Sequence, residues 1–351
     1  MKVGLITYHH TSNFGSLLQT YSLYRRVTEL GFECEIIDYR NAVVEKREKP
    51  LAISDCNTIR NLLYYFIYEP KLRKKIANLE QFCNNEMKLS DRTYDSQDIT
   101  RCKDCYDVFL VGSDLVWDFN NNGSDTTYML DFVGDDKKKI AYASSCGSVW
   151  SEQKIVIDCL SRFDHIGVRE KEIQKTLALW LDNDIDFVCD PTMLIEPISW
   201  EKLTWPRMIN EKYILCYFED HEKQIYRDAI RYGKKHGIKV YAISYKRLPS
   251  GIKPIRPTTI NEFLSLIRYS EAVFSASYHG MLFSLYFERE LYFYKKGWNA
   301  RQESLASFCR IEDRAGYQNE NKINYDFVRE RLSEFREHSN QCLEKYLGKN
   351  K

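Results

Sequence analysis

The stretch AVFSASYHGMLFSLYFERELYFYKK, residues 272–296, predicts a strand, a turn, a helix and a second strand. In an open parallel sheet, such a turn lies where a strand ends and a helix begins, and the free N–H groups of the helix favour an anion there. His279 stands in this turn, so we predict that it contacts the anion, although a histidine there is as often a capping or packing residue. Lys295, Lys296 and Arg301 follow the second strand and could add cations to the same place, although each alone fits a solvated surface charge.

The same alternation of strands and helices runs through the rest of the chain. Residues 2–8 and 33–39 predict two strands around a helix, which together form a βαβ unit. At 351 residues the chain exceeds one ordinary core, and three prolines close together favour a boundary near residue 195. We therefore predict an α/β protein of two Rossmann-like domains facing across a cleft, an N-terminal domain at 1–195 with a helical insertion at about 41–94, and a C-terminal domain at 196–351.

The predicted insertion is basic at its start and helical further on. The sequence KREK at residues 46–49 fits a solvated surface, which an acidic acceptor or lipid headgroups could also use. Apolar residues recur at helical spacing in this stretch, so we expect a helical insertion that lies over the sheet. They are Leu62, Leu63, Phe66 and Ile67, followed by Leu72, Ile76, Leu79 and Phe82.

Small and polar residues follow several predicted strands. Asn13, Gly15 and Ser16 lie in the loop after the first strand, where a Rossmann-like domain contacts its ligand, but this loop lacks the G-x-G-x-x-G of dinucleotide sites. Asp114 could act as a general base or bind sugar hydroxyls, and the alternative is a helix N-cap. The planar guanidinium of Arg169 could bind a carboxylate or phosphate through two parallel hydrogen bonds. The alternative is that Arg-Glu-Lys at 169–171 forms the charged first turn of a helix.

Composition narrows the class of protein. The chain is 44% apolar and 29% charged, which is typical of globular proteins, and a formal net charge of +1 argues against a nucleic-acid partner. Eleven cysteines without regular spacing, and no secretory signal before the first strand, predict reduced thiols in a cytoplasmic protein. We expect no metal site, because Cys102-x-x-Cys105 lacks a second ligand pair. No apolar run approaches the ~20 residues of a membrane span, so any membrane contact would be peripheral.

Several short motifs, in a fixed order, resemble those of a known family. They are Tyr8-His9 through Asn13-x-Gly15 and Leu18-Gln19, GSDLVW at 112–117, AYASS at 141–145, VRE at 168–170, DPT at 190–192 and SYHG at 277–280. As an ordered set from residue 3 to about residue 314, they resemble the polysaccharide pyruvyl transferase family.

The resemblance implies a GT-B-like fold and a known reaction. The family transfers the enolpyruvyl unit of phosphoenolpyruvate onto sugar hydroxyls as a pyruvate ketal and releases phosphate. It suggests a saccharide or lipid-linked saccharide acceptor in bacterial surface polysaccharide assembly, at the membrane or in the cytoplasm. We expect phosphoenolpyruvate as the donor substrate and no cofactor.

The resemblance also assigns site residues. The family's motif arginine and the histidine of its His-Gly turn fall on Arg169 and His279. Better characterised members carry Arg-Leu-His at this turn, where this chain has Ser277-Tyr278-His279, so Lys295, Lys296 or Arg301 would have to replace a phosphate-binding arginine. We predict His279 as acid or phosphate ligand and Asp114 as base. The predicted donor-binding residues are Arg169, Asn13, Gly15, Ser16, Ser277, Lys295 and Arg301.

Two other function classes remain open. A GT-B glycosyltransferase would place the same His-Gly turn against the diphosphate of a nucleotide sugar. A non-catalytic saccharide-binding member of the family would bind glycan without turning over any donor, and the Ser277 departure keeps this class open. The acceptor sugar does not follow from the sequence, because specificity lies in the shape of loops.

Overall fold

The computed structural model describes residues 1–146, 150, 153–218, 223–294 and 300–349, and the chain forms two compact units. Unit 1 comprises Met1–Lys49, Glu80–Ile195 and Ser333–Lys351, and unit 2 comprises Pro50–Leu79 and Glu196–Leu332. Each unit has its own parallel sheet. Both units are therefore discontinuous in sequence, whereas we predicted contiguous domains.

In the part of the chain that the structure describes, unit 1 has a seven-stranded sheet in the order β3-β2-β1-β4-β5-β6-β7, with every neighbouring pair parallel. Its central strands are nearly continuous apolar runs, because a parallel sheet is buried on both faces. Leu5, Leu110 and Ile166 have no exposed surface. The strands are β1 (Lys2–Ile6), β2 (Glu33–Tyr39), β3 (Leu89–Tyr94), β4 (Val108–Val111), β5 (Lys138–Ser144), β6 (His165–Val168) and β7 (Ile185–Phe187).

Helices alternate with these strands. They are α1 (Phe14–Glu29), α2 (Ala42–Glu48), α3 (Ile59–Glu86), α4 (Phe119–Asn122), α5 (Gln153–Leu160) and α6 (Lys171–Trp180). The first helix ends just before Gly31, whose φ of +91° is one that glycine adopts readily.

Unit 2 also has a parallel sheet with helices between its strands. The five described strands lie in the order β10-β9-β8-β11-β12. The strands are β8 (Tyr213–Tyr217), β9 (Lys239–Ile243), β10 (Ile252–Ile255), β11 (Ala272–Ser275) and β12 (Glu290–Phe293). The helices are α7 (Pro197–Leu203), α8 (Lys223–His236), α9 (Ile260–Arg268), α10 (Tyr278–Tyr286), α11 (Ala300–Cys309) and α12 (Tyr325–Leu347). The strand, turn, helix and strand predicted within residues 272–296 are β11, α10 and β12.

The two sheets share one topology. In each, the first strand lies inside the sheet, the next two extend to one side, and the later strands extend to the other. The strand order therefore reverses between β1 and β4 in unit 1 and between β8 and β11 in unit 2. Ligands of open α/β sheets bind at such reversals, at the carboxyl ends of the strands. The α/β class with two Rossmann-like sheets is confirmed.

Two strands escaped sequence-based prediction, and both are outermost in their sheets. β3 falls inside the stretch at 41–94 that we predicted to be helical, and most of its residues are exposed or half-buried. β10 contains Pro254, which lacks a backbone N–H and is tolerated at a sheet edge. These two edge strands lack the apolar runs that identify the central strands.

The second part of α12 explains why unit 1 is discontinuous. The ring of Phe335 stacks on that of Phe187, with centroids 4.9 Å apart. Tyr346 stacks on His165 with centroids 4.8 Å apart, and its hydroxyl donates to Asp186 Oδ2 over 2.6 Å. The end of the chain thus packs on the β6 and β7 edge of the first sheet.

The first part of α3 packs within unit 2. The Tyr64 hydroxyl donates to the carbonyl oxygen of Tyr245 over 3.2 Å, and the Arg256 guanidinium lies 5.1 Å from the Tyr68 ring centroid. These contacts group residues 50–79 with the second sheet, although the surrounding residues belong to unit 1.

The expectation that Leu62, Leu63, Phe66 and Ile67 pack over the sheet is wrong. Their exposed fractions are 38%, 58%, 60% and 56%. The side of α3 that packs carries tyrosines, which combine ring area with a hydroxyl that can be hydrogen-bonded. Helical spacing of apolar residues therefore located the helix. Of the eight apolar residues that we predicted to lie over the sheet, these four face solvent, whereas Leu79 is 1% exposed.

Candidate functional site

The loop after β4 lies at the strand-order reversal of unit 1 and is fixed by close contacts. A Cβ atom on Gly112 would lie 2.2 Å from the Tyr142 carbonyl oxygen, so no side chain fits there. The Ser113 hydroxyl donates to Gln19 Oε1 over 2.6 Å, and the Leu115 N–H donates to Ser145 Oγ over 2.9 Å. These contacts hold the intervening residue, Asp114, in place.

Arg169 and Asp114, which are 55 positions apart in the chain, meet in an ion pair. The Arg169 guanidinium also pairs with Asp190 and donates to Ser145 Oγ over 3.2 Å. The Arg169 side chain is 2% exposed, Asp190 is fully enclosed, and Asp114 is 17% exposed. The fold thus brings together two predicted site residues and adds Asp190, which sequence reasoning missed.

Asp190 has a second structural task that explains its position. Its Oδ1 accepts from the Thr192 N–H over 3.0 Å and from the Thr192 hydroxyl over 2.6 Å, which caps the short 3₁₀ turn Pro191–Met193. The DPT motif therefore fixes a carboxylate behind Arg169. This motif, three residues after the end of β7, was the available sequence signal for this partner.

Charge in this cluster is dominated by carboxylates. One guanidinium lies between Asp114 and Asp190, and the adjacent Glu170 has no exposed surface. Buried charges need such partners, because desolvation is costly. An anionic ligand approaching Arg169 would have to replace a carboxylate, and the more exposed Asp114 is the partner that it can reach.

Asn13, Gly15 and Ser16 build the beginning of α1. Asn13 Oδ1 accepts from the backbone N–H of Gly15 over 2.9 Å and of Ser16 over 3.3 Å. The Ser16 hydroxyl donates to the Tyr8 carbonyl oxygen over 3.1 Å. These predicted donor-binding residues thus have an N-capping geometry, which already satisfies two amides of the first turn.

Sequence reasoning missed a buried polar cluster around His9, which lies in the loop after β1. His9 Nε2 lies 2.8 Å from Asp38 Oδ1, Arg40 Nε donates to the same oxygen over 2.6 Å, and the Thr93 hydroxyl donates to Oδ2 over 2.7 Å. Burial by itself would raise the pKa of the Asp38 carboxyl. The hydrogen bonds from His9, Arg40 and Thr93 outweigh burial and hold that pKa well below its usual range.

The loop after β1 is also attached to α2. His10 Nδ1 lies 2.7 Å from Glu45 Oε1, and both the backbone N–H and the hydroxyl of Ser12 donate to Glu48 Oε2, over 2.8 and 2.6 Å. The adjacent histidines in a loop at the carboxyl edge of the sheet were the available sequence signal for this arrangement.

His279 lies at the strand-order reversal of unit 2. It is the second residue of α10, directly after β11, and is 4% exposed. Ser277 caps the helix, since its Oγ accepts from the Gly280 N–H over 3.4 Å. A Cβ atom on Gly280 would lie 2.4 Å from Ser275 Oγ and 2.8 Å from Tyr217 Cδ1, so glycine allows α10 to approach the sheet.

The helix that carries Arg301 is held to the same turn. Gln302 Nε2 donates to the Ala276 carbonyl oxygen over 2.8 Å, which joins α11 to the loop after β11. Arg301 is the preceding residue and is half-buried. Lys295 and Lys296 lie outside the described residues.

Unit 2 also has a cavity of about 540 Å³ near the end of β12, which we did not predict. Asp228 lines it and accepts from the Tyr294 hydroxyl and from Gln224 Nε2, each over 2.9 Å. Arg231 lies 3.1 Å from the same carboxylate and 4.7 Å from the Tyr317 ring centroid.

Two further findings concern the described ranges alone. No group of three or more His, Cys, Asp or Glu side chains there could hold a metal ion. No helix in those ranges combines the length and the apolar character needed to cross a membrane.

Comparison with known proteins supports both the family and the fold. A family model described as Polysaccharide pyruvyl transferase matches residues 13–293. The structure is similar to UDP-GlcNAc 2-epimerase from Neisseria meningitidis bound to UDP-GlcNAc, with 9% identity, all of both chains covered and a TM-score of 0.52. It also matches the enzyme of that name from Methanocaldococcus jannaschii, with 11% identity, 95% and 100% coverage and a TM-score of 0.48. No curated protein matches the chain by sequence. The predicted GT-B-like fold is confirmed.

Proposed function

Because this chain belongs to the polysaccharide pyruvyl transferase family and is a transferase, we propose that its donor is phosphoenolpyruvate and its acceptor a saccharide. The product would be a pyruvate ketal in surface polysaccharide. The observation that carries the donor proposal is the position of His279 in the first turn of α10, at the strand-order reversal of the second sheet. An anionic donor group is favoured there by the positive end of the helix dipole.

The proposed reaction makes clear demands on the site. The donor C3 gains a proton and becomes a methyl group, C2 forms bonds to two sugar oxygens, and the C2–O bond to phosphate breaks. One hydroxyl proton is balanced by the new methyl C–H bond and the other by the released phosphate. The site must therefore supply an acid, a base and positive charge for the donor carboxylate and phosphate.

In this proposal, the described residues take the following roles. His279 delivers the proton or binds the phosphate, and the positive end of the α10 dipole stabilises the negative charge. Arg169 binds the donor carboxylate or phosphate when that group takes the place of Asp114 on the guanidinium. Asp114, once released, accepts a proton from the attacking hydroxyl. Arg301 adds positive charge near the His279 turn.

We further propose that the reaction takes place in the cytoplasm and uses no cofactor. All eleven cysteines are free thiols, which supports a reducing compartment. Phosphoenolpyruvate itself contains the leaving group, so the transfer needs no further carrier.

Calorimetric titration of phosphoenolpyruvate into the protein tests this proposal without knowledge of the acceptor. The variants are His279→Ala, Arg169→Ala and Arg169→Lys, and the last keeps the charge but loses the fork. We expect His279→Ala and Arg169→Ala each to weaken binding at least about tenfold, since each removes a charge-assisted hydrogen bond. His236→Ala is the matched control, because His236 pairs with the exposed Glu320 in the same unit.

The same titrations separate the competing functions. Near-normal phosphoenolpyruvate binding by both folded alanine variants would reject the site. Binding of UDP-GlcNAc in place of phosphoenolpyruvate would indicate a GT-B glycosyltransferase. Binding of glycan with neither donor would indicate a non-catalytic family member.

A further inference from the structure

The solvent-facing side of α3 in unit 2 has an unbroken row of large apolar side chains, which we call the α3 stripe. It consists of Ile59, Leu62, Leu63, Phe66 and Ile67, with exposed fractions of 80%, 38%, 58%, 60% and 56%. Their spacing places them on one face over about 12 Å of helix. A helix on the surface of a globular protein ordinarily shows polar residues to solvent, so this face is inverted.

The opposite face of α3 already attaches the helix to unit 2. Besides the contacts of Tyr64 and Tyr68, Asn78 Nδ2 donates to Thr258 Oγ1 over 3.1 Å, and Leu79 is 1% exposed. Lys75 lies 4.8 Å from the Tyr245 ring centroid on the same side. The α3 stripe is therefore not needed to hold the helix in place.

Exposed basic residues follow the α3 stripe along the same face of the helix. Lys71 and Lys74 are exposed and follow Ile67 on this side of the helix, about one and two turns further on. Between residues 59 and 76 the sequence has five basic residues and one acidic residue, a local net charge of +4 in a chain whose total is +1. An apolar row next to a cationic cluster is the pattern of helices that lie in a membrane interface.

We propose that the α3 stripe docks unit 2 on the surface of an anionic lipid bilayer. The five apolar side chains would enter the boundary between headgroups and acyl chains, and Lys71 and Lys74 would meet the lipid phosphates. Tyr65, beside the stripe, has the amphipathic ring that favours headgroup depth. This proposal is independent of the donor, so it stands or falls separately from the proposed function.

A second copy of the chain is a poorer occupant of this face. A stable dimer interface takes about 20–30 residues and roughly 800 Å² from each partner, and the stripe offers five side chains. In a symmetric dimer the same patch meets itself, so the cationic clusters of the two copies would repel each other. Both the size and the charge of the surface favour lipid.

Co-sedimentation with vesicles tests the docking surface. Vesicles of phosphatidylcholine alone are compared with vesicles containing about one third phosphatidylglycerol. The variant Leu63→Glu with Phe66→Glu changes exposed positions only, and Lys71→Gln with Lys74→Gln removes two exposed charges. We expect wild type to bind the anionic vesicles preferentially and less at high salt. The first variant should partition at least about tenfold less, and the second about threefold less.

Matched controls place the same changes elsewhere. Leu179→Glu with Ile198→Glu introduces the same charges at apolar residues that are 85% and 54% exposed, and Lys202→Gln with Lys234→Gln removes two other exposed lysines. Both controls should bind vesicles like wild type. Absence of wild-type binding, or an equal loss in the control pairs, would overturn the proposal. So would a lipid-independent dimer that Leu63→Glu with Phe66→Glu abolishes.

A fluorescent reporter tests insertion directly. In Phe66→Trp, compared with Leu179→Trp as control, the new indole should shift its emission to shorter wavelengths on anionic vesicles and be quenched by brominated acyl chains. An emission that does not change on vesicles binding the protein would show that another surface makes the contact.

Discussion

At the residue scale, the polar groups at the carboxyl edge of the first sheet are stabilised by partners from distant parts of the chain. Asp38 is 6% exposed and receives hydrogen bonds from Arg40 and Thr93 beside its contact with His9. A carboxylate in such surroundings is retained only because these groups compensate for its lost hydration.

Asp38 predicts a specific dependence of stability on pH. The pKa of its carboxyl is lowered in the folded state, so its contribution is present above the ordinary aspartate pKa of about 4 and is lost as the pH falls further. Asp38→Asn should reduce the free energy of unfolding by about 2 kcal/mol at neutral pH. The difference from wild type should shrink below about pH 4.

Urea unfolding at several pH values measures this difference. Asp182→Asn, at an exposed aspartate of the same unit, is the control and should follow wild type throughout. A deficit of Asp38→Asn that stays constant from neutral to acid pH would contradict the assigned ionic role.

Gly280 offers a second residue-scale prediction. Gly280→Ala places a Cβ atom 2.4 Å from Ser275 Oγ and 2.8 Å from a Tyr217 ring carbon, so α10 must move away from the sheet. We expect a loss of about 1–3 kcal/mol in the free energy of unfolding. In a double-mutant cycle, Ser275→Ala should recover part of this loss. Strict additivity of the two changes would show that the hydroxyl is not the obstruction.

At the scale of secondary-structure elements, local signals at helix ends agree with the structure. Thr259 caps α9, because its hydroxyl accepts from the Glu262 N–H over 3.2 Å and the Glu262 carboxylate accepts in return from the Thr259 N–H. Such reciprocal bonds depend on residues three positions apart, so the sequence contains all the partners.

Asn13 allows capping to be separated from donor binding. Asn13→Ala should lower the free energy of unfolding by about 1 kcal/mol, because two first-turn amides lose their acceptor, whereas Asn13→Asp keeps a capping oxygen and should be nearly neutral. Chemical denaturation measures both. If Asn13→Asp retains stability but loses phosphoenolpyruvate binding in the calorimeter, the residue also contacts the donor. Equal destabilisation by both substitutions would contradict the capping role.

At the scale of the whole molecule, each unit is completed by chain from elsewhere in the sequence. Unit 1 includes the last nineteen residues of the chain, Ser333–Lys351, and the guanidinium of Arg26 on α1 donates to Glu344 Oε1 over 2.8 Å. Tyr346 and Leu343 have no exposed surface. The terminal segment is thus part of the core of the first unit.

Truncation after residue 332 should therefore destabilise unit 1. Loss of Phe335, Leu343 and Tyr346 removes three large apolar contacts, and each such side chain stabilises by about 2–5 kcal/mol. Hydrogen exchange should rise in β6 and β7 and change little in β8 to β12. Truncation after residue 347 is the control. Faster exchange confined to unit 2 would contradict this assignment of the C-terminal segment.

The sequence by itself determined most of the elements and the family. The signals for strands and helices are local: they are the periodicity of apolar residues, the helix caps and the glycines that end helices. For this reason β11, α10 and β12 lie where the pattern predicted them. The ordered motifs indicated the fold and the family for the same reason, since each is a short local segment. For the candidate site, sequence placed Arg169, Asp114 and His279 after strands at the carboxyl edges of their sheets.

Only the tertiary structure decided which of these residues meet and which faces are buried. Arg169 pairs with Asp114 and Asp190, 55 and 21 positions away, because β4, β6 and β7 end at the same edge of one sheet. The same holds for α12, which packs on β6 and β7, and for the α3 stripe, which faces solvent. Long-range packing selects one face of an element from several that local spacing allows, and the competing partners are not adjacent in the sequence.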